Sequence, residues 1–376
     1  MAKNNIGRPL SLVFAFVLFG HFLVTPLDCG QKETVSFKEK EKIFQKWDDV
    51  FVSQEIVNFT HKNQPFVAYG FLAINSKGNY FLYGVEEQKL MEFDAKGNFV
   101  RNIARKGEGP GEFVMMTNAF FDQQDNLFIY DISKKAISIF AYPDYQYLRQ
   151  VHIRSSVSKI FIDPEGHFIT FSLYNVPDQL IKYDKDGKVM KKTFGTKDEA
   201  LRIAMSRFNP GGIGDAPGEG FLLIYPDKYN VYLYDYELEL KKIYMPRHFS
   251  IFYPRATSFP QELSPYEYSP QHSKWWDGFL HPADIYHVKD KLFIVVLFET
   301  KGRMGKFYIN LHDLNGLTYA RGLEVPYEGR VVAVHQGDVY VMEEENYAGG
   351  DKLLPQQLHR FKSRGYSEMQ DRAEVR

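Results

Sequence analysis

Phe71-Leu72-Ala73-Ile74-Asn75-Ser76-Lys77-Gly78-Asn79-Tyr80-Phe81-Leu82-Tyr83 decides the fold. Two apolar runs flank a polar turn whose glycine stands where a positive φ costs least, so the segment is a β-hairpin. A polar loop then leads to Leu90-Met91-Glu92-Phe93, the turn Asp94-Ala95-Lys96-Gly97, and Asn98-Phe99-Val100-Arg101. That makes four short strands in a row. The pattern recurs. Ala119-Phe120-Phe121, Leu127-Phe128-Ile129-Tyr130 and Ile137-Ser138-Ile139-Phe140 form a second copy. A third holds Ile160-Phe161-Ile162, Phe168-Ile169-Thr170-Phe171 and Leu180-Ile181-Lys182-Tyr183. Phe221-Leu222-Leu223-Ile224 and Val231-Tyr232-Leu233-Tyr234 belong to a fourth. Ile285-Tyr286-His287-Val288 opens a fifth, and Val331-Val332-Ala333-Val334 a sixth that ends on Leu358-His359-Arg360-Phe361.

The copies recur about 40–50 residues apart, the spacing of propeller blades. One blade cannot bury its two faces alone, so stacking around an axis supplies the core. The sequence therefore predicts an all-β chain: one six-bladed β-propeller of four-stranded antiparallel blades over residues 49–376. Little chain follows Phe361 to make the outer strand of the sixth blade. Val50-Phe51-Val52-Ser53 or Ile56-Val57-Asn58-Phe59 would supply it and hide two sheet edges.

Composition agrees. At 44% hydrophobic, the 376 residues can bury a large core, and 25 Tyr and 32 Phe punctuated by 28 Gly and 18 Pro favour strands and turns over helices. A net charge of −1 lacks the basic excess of a nucleic-acid binder. A single cysteine excludes an intramolecular disulfide and a zinc site built on several thiolates.

Two segments stand outside the repeat, besides the leader. Lys3 and Arg8 precede an apolar run from Leu10 to Val24. It falls short of the ~20 residues that span a bilayer, so residues 1–28 are expected to be a signal peptide. Residues 29–48, with Lys38-Glu39-Lys40-Glu41-Lys42, are expected to form a charged tether or short helix. Residues 243–283 are an aromatic-rich insertion between blades four and five, carrying Trp275-Trp276-Asp277 with His248, His272 and His281.

Between the first two copies stands Gly107-Glu108-Gly109-Pro110-Gly111-Glu112-Phe113. Following a strand turn such as Phe93-Asp94-Ala95-Lys96-Gly97, it resembles the six-bladed, NHL-like propeller lipoproteins that bacteria, Bacteroidetes especially, export. The resemblance runs from Val50 onward and implies a periplasmic or outer-membrane-anchored protein. Cys29 is the residue acylation would require, although Asp28 departs from the small residue preferred before such a cysteine. Most members of that family have no assigned activity.

Candidate sites are weighed in that light. The glycine-rich loop, with Arg105 and Lys106, has backbone amides for an anion but lacks the ending of a phosphate loop, so it more readily shapes a blade crossover. Pro217-Gly218-Glu219-Gly220 reads as a fragment of the same loop. Loops at one channel mouth carry Glu86, Asp131, Asn175, Asp227 and Glu343, a mixture of groups that suits polar or peptide contacts. Trp275 and Trp276, with Arg105, Lys106, Asp131 and Glu343, are the expected partner-binding residues. The expected function is a non-catalytic binding module for a peptide, protein or glycan, monomeric, without cofactor or nucleic acid, touching membrane only through its N-terminal anchor. The alternative is a metal-dependent lactonase- or esterase-like hydrolase. There Glu86, Asn175 and Asp227 would hold a divalent cation such as calcium. No Gly-x-Ser-x-Gly elbow is present, and no catalytic residue is assigned.

Overall fold

Among the described residues the chain reverses seven times over one kind of turn. It begins at Asn75, Asp94, Asp122, Asp163, Asp184, Asp235 and Asp313. Each time the side-chain oxygen accepts the backbone N–H two and four residues on. The fourth residue of the turn has positive φ, as at Gly97 (85°) and Gly166 (84°), and even Asp125 (61°) and Leu238 (59°) adopt it. An Asx-capped turn closed by a left-handed residue matches the twist of the flanking strands. This is why aspartate or asparagine followed by glycine punctuates the repeat.

The computed structural model describes residues 32–62, 64–66, 68–84, 87–153, 157–172, 178–194, 211–246, 260, 262–264, 270–276, 280–299, 305–343, 347–348, 352–353, 357–364 and 368. Strand β1 (Glu33–Phe44), helix α1 (Trp47–Val50) and β2 (Phe51–Asn58) precede a two-residue ribbon, β3 (Thr60–His61) and β4 (Gln64–Pro65). Blade 1 is β5 (Ala68–Ile74), β6 (Tyr80–Gly84), β7 (Lys89–Phe93) and β8 (Phe99–Arg105). Blade 2 is β9 (Met116–Phe121), β10 (Leu127–Asp131), β11 (Ala136–Ala141) and β12 (Gln146–His152). Blade 3 is β13 (Lys159–Ile162), β14 (Phe168–Phe171), β15 (Asp178–Tyr183) and β16 (Val189–Phe194). Blade 4 is β17 (Gly212–Ala216), β18 (Gly220–Ile224), β19 (Val231–Tyr234) and β20 (Leu240–Pro246). After α2 (Pro270–Trp276), blade 5 is β21 (Leu280–Lys289), β22 (Leu292–Glu299), β23 (Lys306–Asp313) and β24 (Leu317–Glu324). Blade 6 begins with β25 (Arg330–His335) and β26 (Asp338–Met342). A second two-residue ribbon, β27 (Tyr347–Ala348) and β28 (Lys352–Leu353), then leads to β29 (Gln357–Ser363).

The sixth blade is completed from the other end of the chain. β2 pairs antiparallel with β29 from Phe51↔Ser363 to Asn58↔Gln357, giving the order β2-β29-β26-β25. The six blades therefore close, with the N-terminal strand as fastener.

One expectation is overturned. The segment read as a charged tether is a twelve-residue strand. β1 pairs in parallel first with β20 of blade 4 (Glu33↔Lys242 to Phe37↔Pro246), then with β24 of blade 5 (from Lys38↔Leu317). Its charges misled because Lys38 faces solvent, while Glu39 pairs with Arg321 and Glu33 with Lys242 of the blades it joins. Its two phenylalanines, Phe37 and Phe44, are buried.

Under β1 lies a buried polar network between blades 4 and 5. The Tyr229 hydroxyl meets His312 Nε2 at 2.6 Å and accepts from Asn310 Nδ2 at 2.8 Å, while His312 Nδ1 lies 3.0 Å from the Thr318 hydroxyl. Phe37 stacks on the imidazole at 4.1 Å. Burial pulls the His312 pKa down to about 3, so the ring is neutral in the folded protein. The insertion is bounded by Pro246 and Leu280 rather than by residues 243 and 283, since β20 and β21 run into it.

Candidate functional site

Because neighbouring strands of a blade are antiparallel, its first and third turns fall at the same end of the ring. Five of the six neighbouring pairs of inner strands run close together: β5 with β9, β13 with β17, β17 with β21, β21 with β25, and β25 with β5. Blades 2 and 3 share one buried core, in which Phe128 and Phe168 pack at 5.9 Å. At the turn end of this contact lies a cavity of about 710 Å³. Phe128 and Phe168 wall it, Leu148 and Lys185 stand at its outer end, and it rounds the Asp163 turn to reach Asp215 and Tyr236 of blade 4. A second cavity of about 430 Å³ lies towards blades 1 and 6, beside Ser76, Tyr286 and His335. The two share Phe121, Asp122 and Gln123.

Asp163, Glu165 and His167 bring three metal-type donor atoms within 4.8 Å of one another at this mouth. Asp163 is already engaged. Its Oδ1 accepts the Glu165 and His167 amides, and its Oδ2 lies 3.1 Å from Lys182 Nζ and 3.0 Å from His167 Nδ1. Burial alone would lower the Lys182 pKa, but Glu237 and Asp163 outweigh it and hold the ammonium charged. A metal ion would have to displace that buried ammonium, so the cluster serves the turn rather than a cation.

Asp215 differs. Among the described residues no lysine or arginine pairs with it; the Tyr236 hydroxyl lies 3.5 Å from Oδ1. Burial raises its pKa, against the opposing pull of His287, the Ala216 amide and Tyr236. Tyr236 in turn is pushed up to about 12 by burial and by Asp215. Its ring stacks on Phe161 at 6.2 Å and 6°.

A family model described as a 6-bladed beta-propeller (DUF5128) matches residues 40–249, more than half of the chain. The chain belongs to this propeller family. Solved structures agree on the fold. A Bacteroides fragilis protein designated as exported superposes with TM-score 0.60 at 14% identity, over 88% of this chain and 100% of that one. A Bacteroides vulgatus protein of another uncharacterised family gives 0.59 at 10%, over 84% and 97%. No curated protein matches in sequence.

The described residues among the binding and metal candidates named from sequence do not line this cavity. The Gly107 loop is a crossover whose anion position is filled from within. Glu112 Oε2 accepts the Gly109 amide at 2.9 Å, and Oε1 pairs with Arg105 Nε at 2.6 Å. A Cβ on Gly107 would stand 2.1 Å from that carboxylate, so the loop needs glycine to close on its own glutamate. Arg105 is thereby engaged, and Lys106 is exposed on the same crossover. Asp131 is no ligand group: it is buried and its carboxylate accepts the amides of Val114, Met115, Ser133 and Lys134. Glu343 pairs with His359 Nε2 at 3.0 Å. Asp227 is buried on blade 4, with Lys228 Nζ 4.0 Å from its carboxylate. Trp275 is half-buried on α2. The side chain of Trp276, and residues Glu86, Asn175 and Cys29, lie outside the described residues, as do His248 and the signal segment.

The structure draws attention to the opposite end of the ring from the loops singled out by sequence. Pro217-Gly218-Glu219-Gly220, read as crossover, contains the hairpin turn between β17 and β18 and puts Asp215 beside the cavity. Nothing in the local sequence marked Asp215 or Tyr236. They become neighbours only when two hairpins of one blade fold onto the same end.

Proposed function

We propose that this propeller is an exported, envelope-anchored, non-catalytic binding module, and that it takes a segment of a peptide, protein or glycan into the cavity at the turn end of blades 2, 3 and 4. The cavity of about 710 Å³ carries this reading, because it is lined by aromatic and polar groups from three blades. Export draws support from the apolar leader, and from the exported designation of a protein sharing the fold. Anchoring rests on Cys29.

The test pairs a binding screen with an activity screen. Purified protein, with and without Ca²⁺, is offered lactone and ester substrates, and in parallel peptide and oligosaccharide arrays. Binding without turnover is expected, weakened by Leu148→Asp, which puts a charge on an exposed side chain of the cavity rim. Metal-dependent turnover that disappears in Glu86→Ala or Asp227→Ala would overturn the reading in favour of the hydrolase. For anchoring, the wild type is expected with membranes and Cys29→Ser in the soluble fraction. Soluble wild type with an unmodified thiol would sink the anchor.

A further inference from the structure

Resting on the binding reading above, we infer that this cavity recognises one cationic side chain, lysine or arginine, of an extended peptide, held by Asp215 against the ring of Tyr236. The charged groups of the first cavity differ in how far they are already engaged. Asp122 uses both oxygens on its own turn and on Asn126. Asp163 is engaged by Lys182, His167 and two amides. Arg149 is taken up by Asp186 at 3.1 Å and the Lys185 carbonyl at 2.8 Å. Asp215 has no cationic side chain against it among the described residues, apart from the longer-range field of His287.

Asp215 lines the cavity and keeps more than a third of its surface open, so a guest can reach it. Burial is the leading cause of its raised pKa, and an arriving ammonium or guanidinium would replace the lost water with a charge-assisted hydrogen bond. The neighbouring wall suits the same guest. Phe161 and Tyr236 stack almost parallel, and an aromatic face beside a carboxylate attracts a cation twice over. At the far end Lys185 repels a second cation, which limits the peptide to one basic residue at the blade 4 end. The length of the cavity, from Leu148 on blade 2 to Tyr236 on blade 4, asks for an extended chain rather than a free amine.

The experiment uses acetylated, amidated hexapeptides identical except for a central Lys, Arg, norleucine or Glu, with maltohexaose as a neutral saccharide. Affinities are measured by titration calorimetry at low and physiological salt. The Lys and Arg peptides are expected to bind about tenfold or more tighter than the norleucine peptide, as one charge-assisted contact warrants. Asp215→Asn, which keeps shape, should erase that preference, Tyr236→Leu should reduce it, and Lys362→Ala, exposed on blade 6, should leave it intact. Melting temperatures of the variants confirm folding. Equal binding of all four peptides, a preference for Glu, or no binding of the cationic peptides would overturn the inference. If maltohexaose binds instead, insensitive to Asp215→Asn, the cation claim falls while the binding module stands. Lactone turnover without binding of any probe would remove both.

Discussion

Asp131 gathers four amides onto one carboxylate, at 2.6, 3.3, 2.9 and 3.1 Å from Val114, Met115, Ser133 and Lys134. In sequence it is one acid among several in loop positions. In the fold it ties the blade 1–2 crossover to the second turn of blade 2. Asp131→Ala leaves those donors without their acceptor, and a loss of about 2–4 kcal/mol in urea unfolding is expected, with Asp131→Asn intermediate because it keeps one acceptor oxygen. His312 supplies a second prediction, in pH. Its folded pKa lies near 3, below the ordinary 6.5, so the unfolded chain binds the proton first. Stability is then complete above pH 6.5 and falls as pH drops from there towards 3, with a slope of about 1.4 kcal/mol per pH unit from this one group. Burial lowers the His335 pKa as well, adding to the slope in the same direction. Between pH 6.5 and 5, above the range where most carboxylates titrate, His312→Gln should unfold with a slope shallower by close to one proton. An unchanged slope would mean that the imidazole charges in place.

At the scale of strands, the repeat was legible because each hairpin writes itself locally: alternating apolar runs, then Asn or Asp, then a residue that tolerates positive φ. Even the fastener could be named, since Phe361 lies so near the end of the repeat. β1 could not be read in this way. Its pattern of Lys and Glu is that of a solvated segment, and the two positions that decide its fate, Phe37 and Phe44, are seven residues apart. Its partners, around Lys242 and Leu317, are supplied by blades folded long afterwards in the sequence. The cavity at the other end was not legible for a related reason. Loops dense in charge draw the eye, whereas a cavity shared by the turns of blades 2, 3 and 4 is a property of no one of them alone. Phe37 stacks on His312 at 4.1 Å and on Tyr244 at 5.7 Å, so Phe37→Ala should cost about 3–5 kcal/mol. Hydrogen exchange should speed in β20 and β24 together, while β12 and β16 stay protected. Loss confined to one of the two blades would show that β1 does not couple them. For the insertion, Trp275→Ala with Trp276→Ala is expected to leave the ring folded, since the six blades pair without α2. Unfolding of the double variant at ordinary temperature would make α2 a structural flap.

For the whole molecule, the closed ring has the strongest consequence for time. The strands that come first in the chain find their partners last. Asn58 hydrogen-bonds Gln357, 299 residues away, and Glu39 reaches Arg321 across 282. A chain that emerges N-terminus first must hold β1 and β2 unsatisfied until nearly all of it is available, and pairings so distant in sequence form slowly. Trp47 reports that moment. It is buried at the seam, its ring 4.4 Å from Phe51 and 5.2 Å from Phe361, the second a contact that exists only after closure. With Trp275 and Trp276 replaced by Phe, the fluorescence of Trp47 should change later in refolding than the far-ultraviolet signal of the strands. A chain ending before Gln357 should show the second signal without the first. Blades would then be present and the ring unlatched: for this protein, being folded and being finished are separate events, and β29 decides the fate of β2.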